Sequence, residues 1–349
     1  MKTAWQTTHK HTVAGRATTA TGGHSHDLAE VEAALAAEVA AGVVADQALG
    51  DAIAWLDARL AALEASAPPP LPITSVRVTS IPDLLTRLED DDLDEIVVAN
   101  GTYRVSPAAA QSADSLWIGA RYAARTRPVR VRPEAPGGVT FDGGGATYFG
   151  GIAFEGGAHD QDWRAFGWAN GVATHTGVIA FGGANGAVDL PAVHHIAMRR
   201  ITLAASLRGT GGGSGATDHG VYISRAIGGV HDIMLEDFDV DGSPADGLHS
   251  ALHLYHSTPD QPNGHTITAR RWRVRGTNQA IIVWDATVRD IVVEDVRIEN
   301  ARSAAVRYEQ GGTLTLRRVI SSGTPGGKGF YSSLGANPPG VTFEACDLR

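Results

Sequence analysis

One cysteine, Cys346, in 349 residues excludes an intramolecular disulfide, so packing must supply the stability. Basic residues are in deficit, 29 Lys and Arg against 38 Asp and Glu, for a formal charge of −9. No clustered basic face is visible either, which argues against a nucleic-acid partner. No run of about eighteen apolar residues occurs. Met1 to Gln6 lead into a polar stretch rather than an apolar secretory core, so neither a membrane span nor a Sec signal is expected. Aromatic residues make up only 6%, whereas there are 42 glycines. That balance suits an all-β body whose turns need positive φ. At 43% hydrophobic, the chain is too apolar to be disordered throughout.

The sequence divides into unlike segments. Residues 1–26, rich in Thr, Gly and His, read as an extended arm. In 27–66, Leu28, Leu35, Leu49, Leu56 and Leu63 fall on a seven-residue repeat, and Val39, Ile53 and Leu60 fill the alternate seam. Such a seam predicts a helical coiled-coil stalk and an elongated homotrimer, with Glu32 and Asp46 as polar interruptions that set register. The alternative is an amphipathic helix lying on its own β-body. Residues 67–72, with Pro68-Pro69-Pro70, form a stiff linker. Residues 73–105 read as a cap, a strand, a helix opened at Ser80 and a second strand, and 106–349 as the body.

A phrase repeats in the body. Its first apolar residues, Ile196, Ile233, Ile267, Ile291, Leu314 and Val341, are spaced 37, 34, 24, 23 and 27 apart, the mark of a stacked solenoid with loops let into some turns. Each phrase alternates apolar and polar, turns at a charged pair and alternates again, which predicts two short strands meeting at a corner. Ile201, Phe238, Trp272, Val296, Val319 and Cys346 then share one internal column. The corner pairs alternate in sign: Arg199-Arg200, Glu236-Asp237, Arg270-Arg271, Glu294-Asp295, Arg317-Arg318, then Glu344-Ala345. Coils roughly 4.8 Å apart would place opposite charges over one another. A second repeating strand puts Val221, Leu252, Ile281, Val306 and Phe330 inward at spacings of 31, 29, 25 and 24.

With both ladders in place, the sequence resembles the pectate-lyase-like β-helix superfamily, and the cap at 73–105 looks like that of viral tailspike and tail-fibre β-helices. The expected fold is therefore all-β, a right-handed parallel β-helix (pectate-lyase-like solenoid) behind an N-terminal α-helical coiled-coil stalk.

The strands that carry the second ladder present Tyr222, His253, Ile282, Arg307 and Tyr331 outward in one column, and Ser224, Tyr255, Trp284, Glu309 and Ser333 in the next. Flat rings beside charged and hydrogen-bonding groups suit a sugar chain. Ring stacking between coils and contact between subunits are the competing readings. Trp163, Phe166 and Trp168 fall in what reads as a long insertion, 159–175, either plugging a gap or touching a ligand. Asp218, Asp246, Asp285 and Glu309 are the carboxylates to test for glycan cleavage. The segments around Asp218 and Asp246 resemble the acidic and His-Gly motifs of β-helix polysaccharide hydrolases, but the paired Asp-Asp, Gly-His-Gly and Arg-Ile-Lys elements are missing. His24 and His26 look like the His-X-His segments of viral fibre proteins, which implies a transition metal on a threefold axis; six imidazoles there would complete an octahedral site. His9 and His11 repeat the pattern.

Arm, stalk, spacer and β-helix together resemble a bacteriophage minor tail protein or tail fibre. That resemblance implies a virion component, extracellular after release. Its expected partners are its own copies, other tail or baseplate proteins through the arm, and host surface polysaccharide. A polysaccharide-degrading β-helix enzyme is the alternative.

Overall fold

The computed structural model describes residues 73–349, except 120–123, 148, 173–175, 183–190, 210–217, 225–228, 243–246, 256–264, 285–287, 311, 325–327 and 349, together with positions 33, 55, 56, 58 and 59. The chain falls into two units, 1–72 and 73–349. The expected coiled-coil seam, the proline linker and the His-X-His arm, including His24 and His26, lie outside the described residues.

The described residues of 73–349 form two sheets, one of 17 strands and one of 8, and every strand pairing among them is parallel. The chain passes from one sheet to the other and back in each repeat. Ser250–Tyr255 of the smaller sheet is followed by His265–Arg270 and Arg273–Arg275 of the larger, then Gln279–Trp284 returns to the smaller. Each strand pairs with its counterpart one repeat later, the arrangement of a parallel β-helix.

The repeat phrase sets this register. Ile196 pairs with Ile233, Ile267, Ile291, Leu314 and Val341 in succession. Ile201, Phe238, Trp272, Val296 and Val319 are all buried, and Phe238 stacks on Trp272 with centroids 4.4 Å apart. The corner between the two strands of each phrase needs one left-handed residue. Arg200, Asp237, Arg271, Asp295, Arg318 and Ala345 all have φ between 52° and 58°. That conformation is costly for a residue with a Cβ. It recurs because the corner N–H groups of Arg271, Asp295 and Arg318 donate to carbonyls of the next coil at 3.0, 3.0 and 2.8 Å.

Charges then stack as their alternation requires. Glu236 lies 3.4 Å from Arg199 and 2.8 Å from Arg270, and Arg317 bridges Glu294 at 3.4 Å and Glu344 at 2.5 Å. In the second positions, Arg271 meets Asp237 at 2.7 Å and Arg318 meets Asp295 at 2.6 Å.

The segment read as a long insertion is a regular coil. His159–Arg164 and Phe166–Val172 pair with Val193–Leu203, so that Gln161 aligns with Ile196, Trp163 with Met198 and Trp168 with Leu203. Trp163 and Trp168 are fully buried and belong to the core, not to a ligand-contacting surface. The repeat is disguised because Gln161 stands where other coils have Ile, Leu or Val. Its amide is satisfied inside the core by the Trp163 Nε1–H at 2.9 Å.

The helix Ile81–Leu88 packs on Ser75–Val78 and Glu95–Val98 through buried Ile81, Leu84, Leu85 and Leu88. Ser80 caps its N-terminus, accepting from the Asp83 N–H at 3.3 Å, and Pro82 occupies the first turn. Its far end is closed by the buried guanidinium of Arg125. That group donates to the carbonyls of Leu88 (3.3 Å), Asp90 (2.5 Å), Leu93 and Arg127 (2.8 Å).

Candidate functional site

The smaller sheet brings most of the outward candidates together. Tyr222, His253, Ile282, Arg307 and Tyr331 are paired in one column, coil by coil. Tyr255 pairs with Trp284, and their rings meet edge to face with centroids 6.3 Å apart. The expected neighbour of Trp284, Glu309, is displaced. A register shift after Val283 pairs Trp284 with Gln310 instead.

Exposure divides this face into two parts. Towards the later coils, Trp284 is 36% and Tyr331 37% exposed. The Arg307 guanidinium lies between them, 4.9 Å from one ring centroid and 5.7 Å from the other, while the Lys328 ammonium sits 5.4 Å from Tyr331. Arg307 Nε donates to Glu309 Oε1 at 2.6 Å. Burial would raise the Glu309 carboxyl, but hydrogen bonds from Ser333 and Arg307 outweigh it and hold the group below the usual carboxylate range.

Towards the earlier coils the same face is closed. His253 is 6% exposed, His219 and Asp218 are each 1% exposed, and Ser250 is wholly buried. Ala251 with Leu252, and Ala280 with Ile281, are consecutive residues that both enter the core, so strict alternation fails there. His219 consequently emerges on the same side as Tyr222, on which it stacks at 5.2 Å. Ser250 Oγ, His219 Nδ1, His219 Nε2 and His253 Nδ1 form a hydrogen-bonded chain with two 2.7 Å contacts.

Burial pushes the His253 imidazole down to about 3, with His249 and Arg307 adding to the effect, and His219 moves the same way for the same first reason. Burial raises the Tyr222 phenol. Ser250 has no solvent access and burial disfavours the charged form of both imidazoles, so the chain of contacts joins neutral groups.

Of the four carboxylates considered for cleavage, two are among the described residues, and they stand apart in kind. Asp218 is buried, with its carbonyl accepting from the His249 N–H at 2.7 Å. Asp246 and Asp285 lie outside the described residues, and Glu309 stands on the exposed part of the face. Among the described residues no group of three or more His, Cys, Asp or Glu could hold a metal ion, and no helix is long and apolar enough to cross a membrane. Sequence reasoning missed one cluster, the imidazole column of His159, His194, His231 and His265 on the larger sheet. Its signal was present: a His one or two residues before the first apolar position in successive phrases.

No known protein family and no curated protein matches the chain. Among solved structures, the catalytic domain of a GH87 alpha-1,3-glucanase in complex with nigerose is similar at 8% identity, over 80% of this chain and 70% of that one, with a TM-score of 0.20. The A-module of the mannuronan C-5 epimerase AlgE6 from Azotobacter vinelandii is similar at 11% identity, over 76% and 93% respectively, with a TM-score of 0.22. At these scores neither likeness carries a shared function.

Proposed function

We propose that the exposed face built by Tyr255, Trp284, Arg307 and Tyr331 binds carbohydrate, and that the chain is a structural component of a phage tail, a minor tail protein or tail fibre that meets host surface glycans. The observation that carries the binding reading is the Arg307 guanidinium held between two rings that are each more than a third exposed. Exposed ring faces accept the apolar faces of a pyranose, and the adjoining Arg307–Glu309 pair offers donors and acceptors for its hydroxyls. A purely structural cation–π stack would be expected to cover its rings.

The tail reading is supported by the order of segments: arm, heptad stalk, proline spacer and a β-helix, which we take as right-handed like nearly all parallel crossovers. In it the stalk trimerises the chain, the arm joins other tail proteins, and His24 with His26 are candidates for a shared metal. Glycan cleavage is the second reading. Glu309, a carboxylate paired with the Arg307 that lies between the rings, favours it, and it would serve as base or nucleophile rather than acid.

A glycan array followed by calorimetry on the best ligand tests the site. Trp284→Ala and Tyr331→Ala should each weaken binding severalfold, given roughly 0.5 to 2 kcal/mol per ring contact. Unchanged affinity in both would overturn the assignment. Release of new reducing ends from the bound glycan, lost in Glu309→Gln, would select the enzymatic reading.

A further inference from the structure

The larger sheet carries a feature with no role in carbohydrate contact. His159, His194, His231 and His265 occupy one column, and their rings lie face to face with centroids 5.1, 5.0 and 4.8 Å apart and planes within 7° of parallel. Arg289 continues the column in the next coil. The residue after each of these five, Asp160, His195, Asp232, Thr266 and Asp290, has φ between 52° and 56°, a left-handed corner that forms a second column beside the first.

The partners therefore alternate. His159 Nδ1 meets Asp160 Oδ2 at 2.9 Å and His231 Nδ1 meets Asp232 Oδ2 at 2.8 Å, so these two imidazoles each have a carboxylate. His265 Nδ1 has the Thr266 hydroxyl at 3.2 Å. At His194, in the middle of the stack, the Nδ1 partner is a second imidazole, with Nδ1 of His194 and Nδ1 of His195 2.9 Å apart. Such a contact holds one proton, because one nitrogen must donate and the other accept. When both rings are protonated the two N–H groups oppose each other and the bond is lost.

The surroundings neutralise the added charge only in part. Facing the stack are Asp160, Asp232, Asp290, Arg289 and His195; His195 lies 3.4 Å from both Asp160 and Asp232, so it competes for the carboxylates that His159 and His231 already use. Beyond His195, in a groove of about 300 Å³, stand Asp94, Glu95, Asp162, Arg130 and Arg199. Of these, Glu95 is paired with Arg130 and Arg132, and Asp162 with Arg164 and Arg199. Among the described residues no group of three or more His, Cys, Asp or Glu is placed to hold a metal ion here instead of the proton.

We infer that the histidine stack is an acid-sensitive seam: protonation of both His194 and His195 breaks their contact, and like charge along the column then loosens the coils at Val193–Leu203 and Val230–Asp241. Burial and the neighbouring imidazoles lower the proton affinity of His194, which agrees with a fold that favours the neutral stack.

Amide hydrogen exchange of the full chain at pH 7.5 and 5.0, corrected for intrinsic exchange, tests this. Protection in Val193–Leu203 and Val230–Asp241 should fall about tenfold or more at pH 5.0, while the histidine-free strands Leu314–Arg317 and Ile320–Ser322 change less. His194→Gln with His195→Asn should flatten the response of the two coils. His253→Phe, on the other sheet, should leave it in place. A uniform loss of protection along the body, or an undiminished local response in the double variant, would overturn the inference. If the double variant fails to fold, His195→Asn alone reads the same contact, since neighbouring corners already carry Asp and Thr.

Discussion

At the residue scale, most of the chemistry lies in which polar groups are allowed inside. Gln161 sits in a core column because Trp163 donates to its amide, and His219 and His253 sit behind the outward sheet face because they remain neutral. The second case has a pH consequence. The folded affinity of His253 for a proton is depressed, to about 3 against an ordinary 6.5, so between those values the unfolded chain binds more protons. Stability from these imidazoles is complete above about pH 6.5 and declines as pH falls towards 3. Urea unfolding should show a midpoint that drops below pH 6.5, and His253→Phe should shrink the drop. A midpoint flat from pH 7 to 4.5 would contradict neutral burial. None of this was legible in the sequence. The repeat places His253 in an outward column, whereas its burial depends on the double inward step at Ala251-Leu252.

At the element scale, the corner ladder and the cap make separate predictions. Each exposed ion pair in the ladder is worth about 0 to 1 kcal/mol, so Glu294→Gln should cost less than about 1 kcal/mol. Glu294→Arg should cost clearly more, because it sets a cation among Arg270, Arg317 and Arg318, which stand in register with Glu294 or bridge to it. Equal losses in thermal unfolding would show that the ladder does not discriminate register. Arg125 is different in kind. Its removal strands buried carbonyls at the end of Ile81–Leu88, so Arg125→Ala should cost at least about 2 kcal/mol. Exchange should show the cap helix opening before the later coils; if the cap stays protected, the carbonyls have found other partners.

The same scale shows how legible the strands were. Six phrases, from Ile196 to Val341, could be aligned because their inward residues are apolar and their corner charges alternate. The coil at 159–172 has the same length and corner, with Ala165 at φ 63°, yet Gln161 and the acidic Asp160 and Asp162 hid it. A polar residue satisfied by a tertiary hydrogen bond leaves no trace in a hydrophobic pattern. The bulge after Val283, which moves Glu309 away from Trp284, is likewise a property of two strands together.

At the scale of the whole molecule, the stalk reading makes the boldest claim. Light scattering should find a trimer for the full chain and a monomer for residues 73–349, whose core is its own. A monomeric full chain would remove the coiled coil and the shared His24 and His26 site together, leaving the carbohydrate face to stand alone.

The sequence by itself determined the period, the inward columns, the parallel pairing and the corner charges, because a solenoid repeats the same local demand in every coil and each demand leaves a residue type behind. Only the tertiary structure decided which outward residues are covered, which candidate rings are core, and that four histidines from four coils share one stack. Those properties arise between coils, where residues 23 to 37 positions apart become neighbours, and no single phrase encodes what lies above or below it.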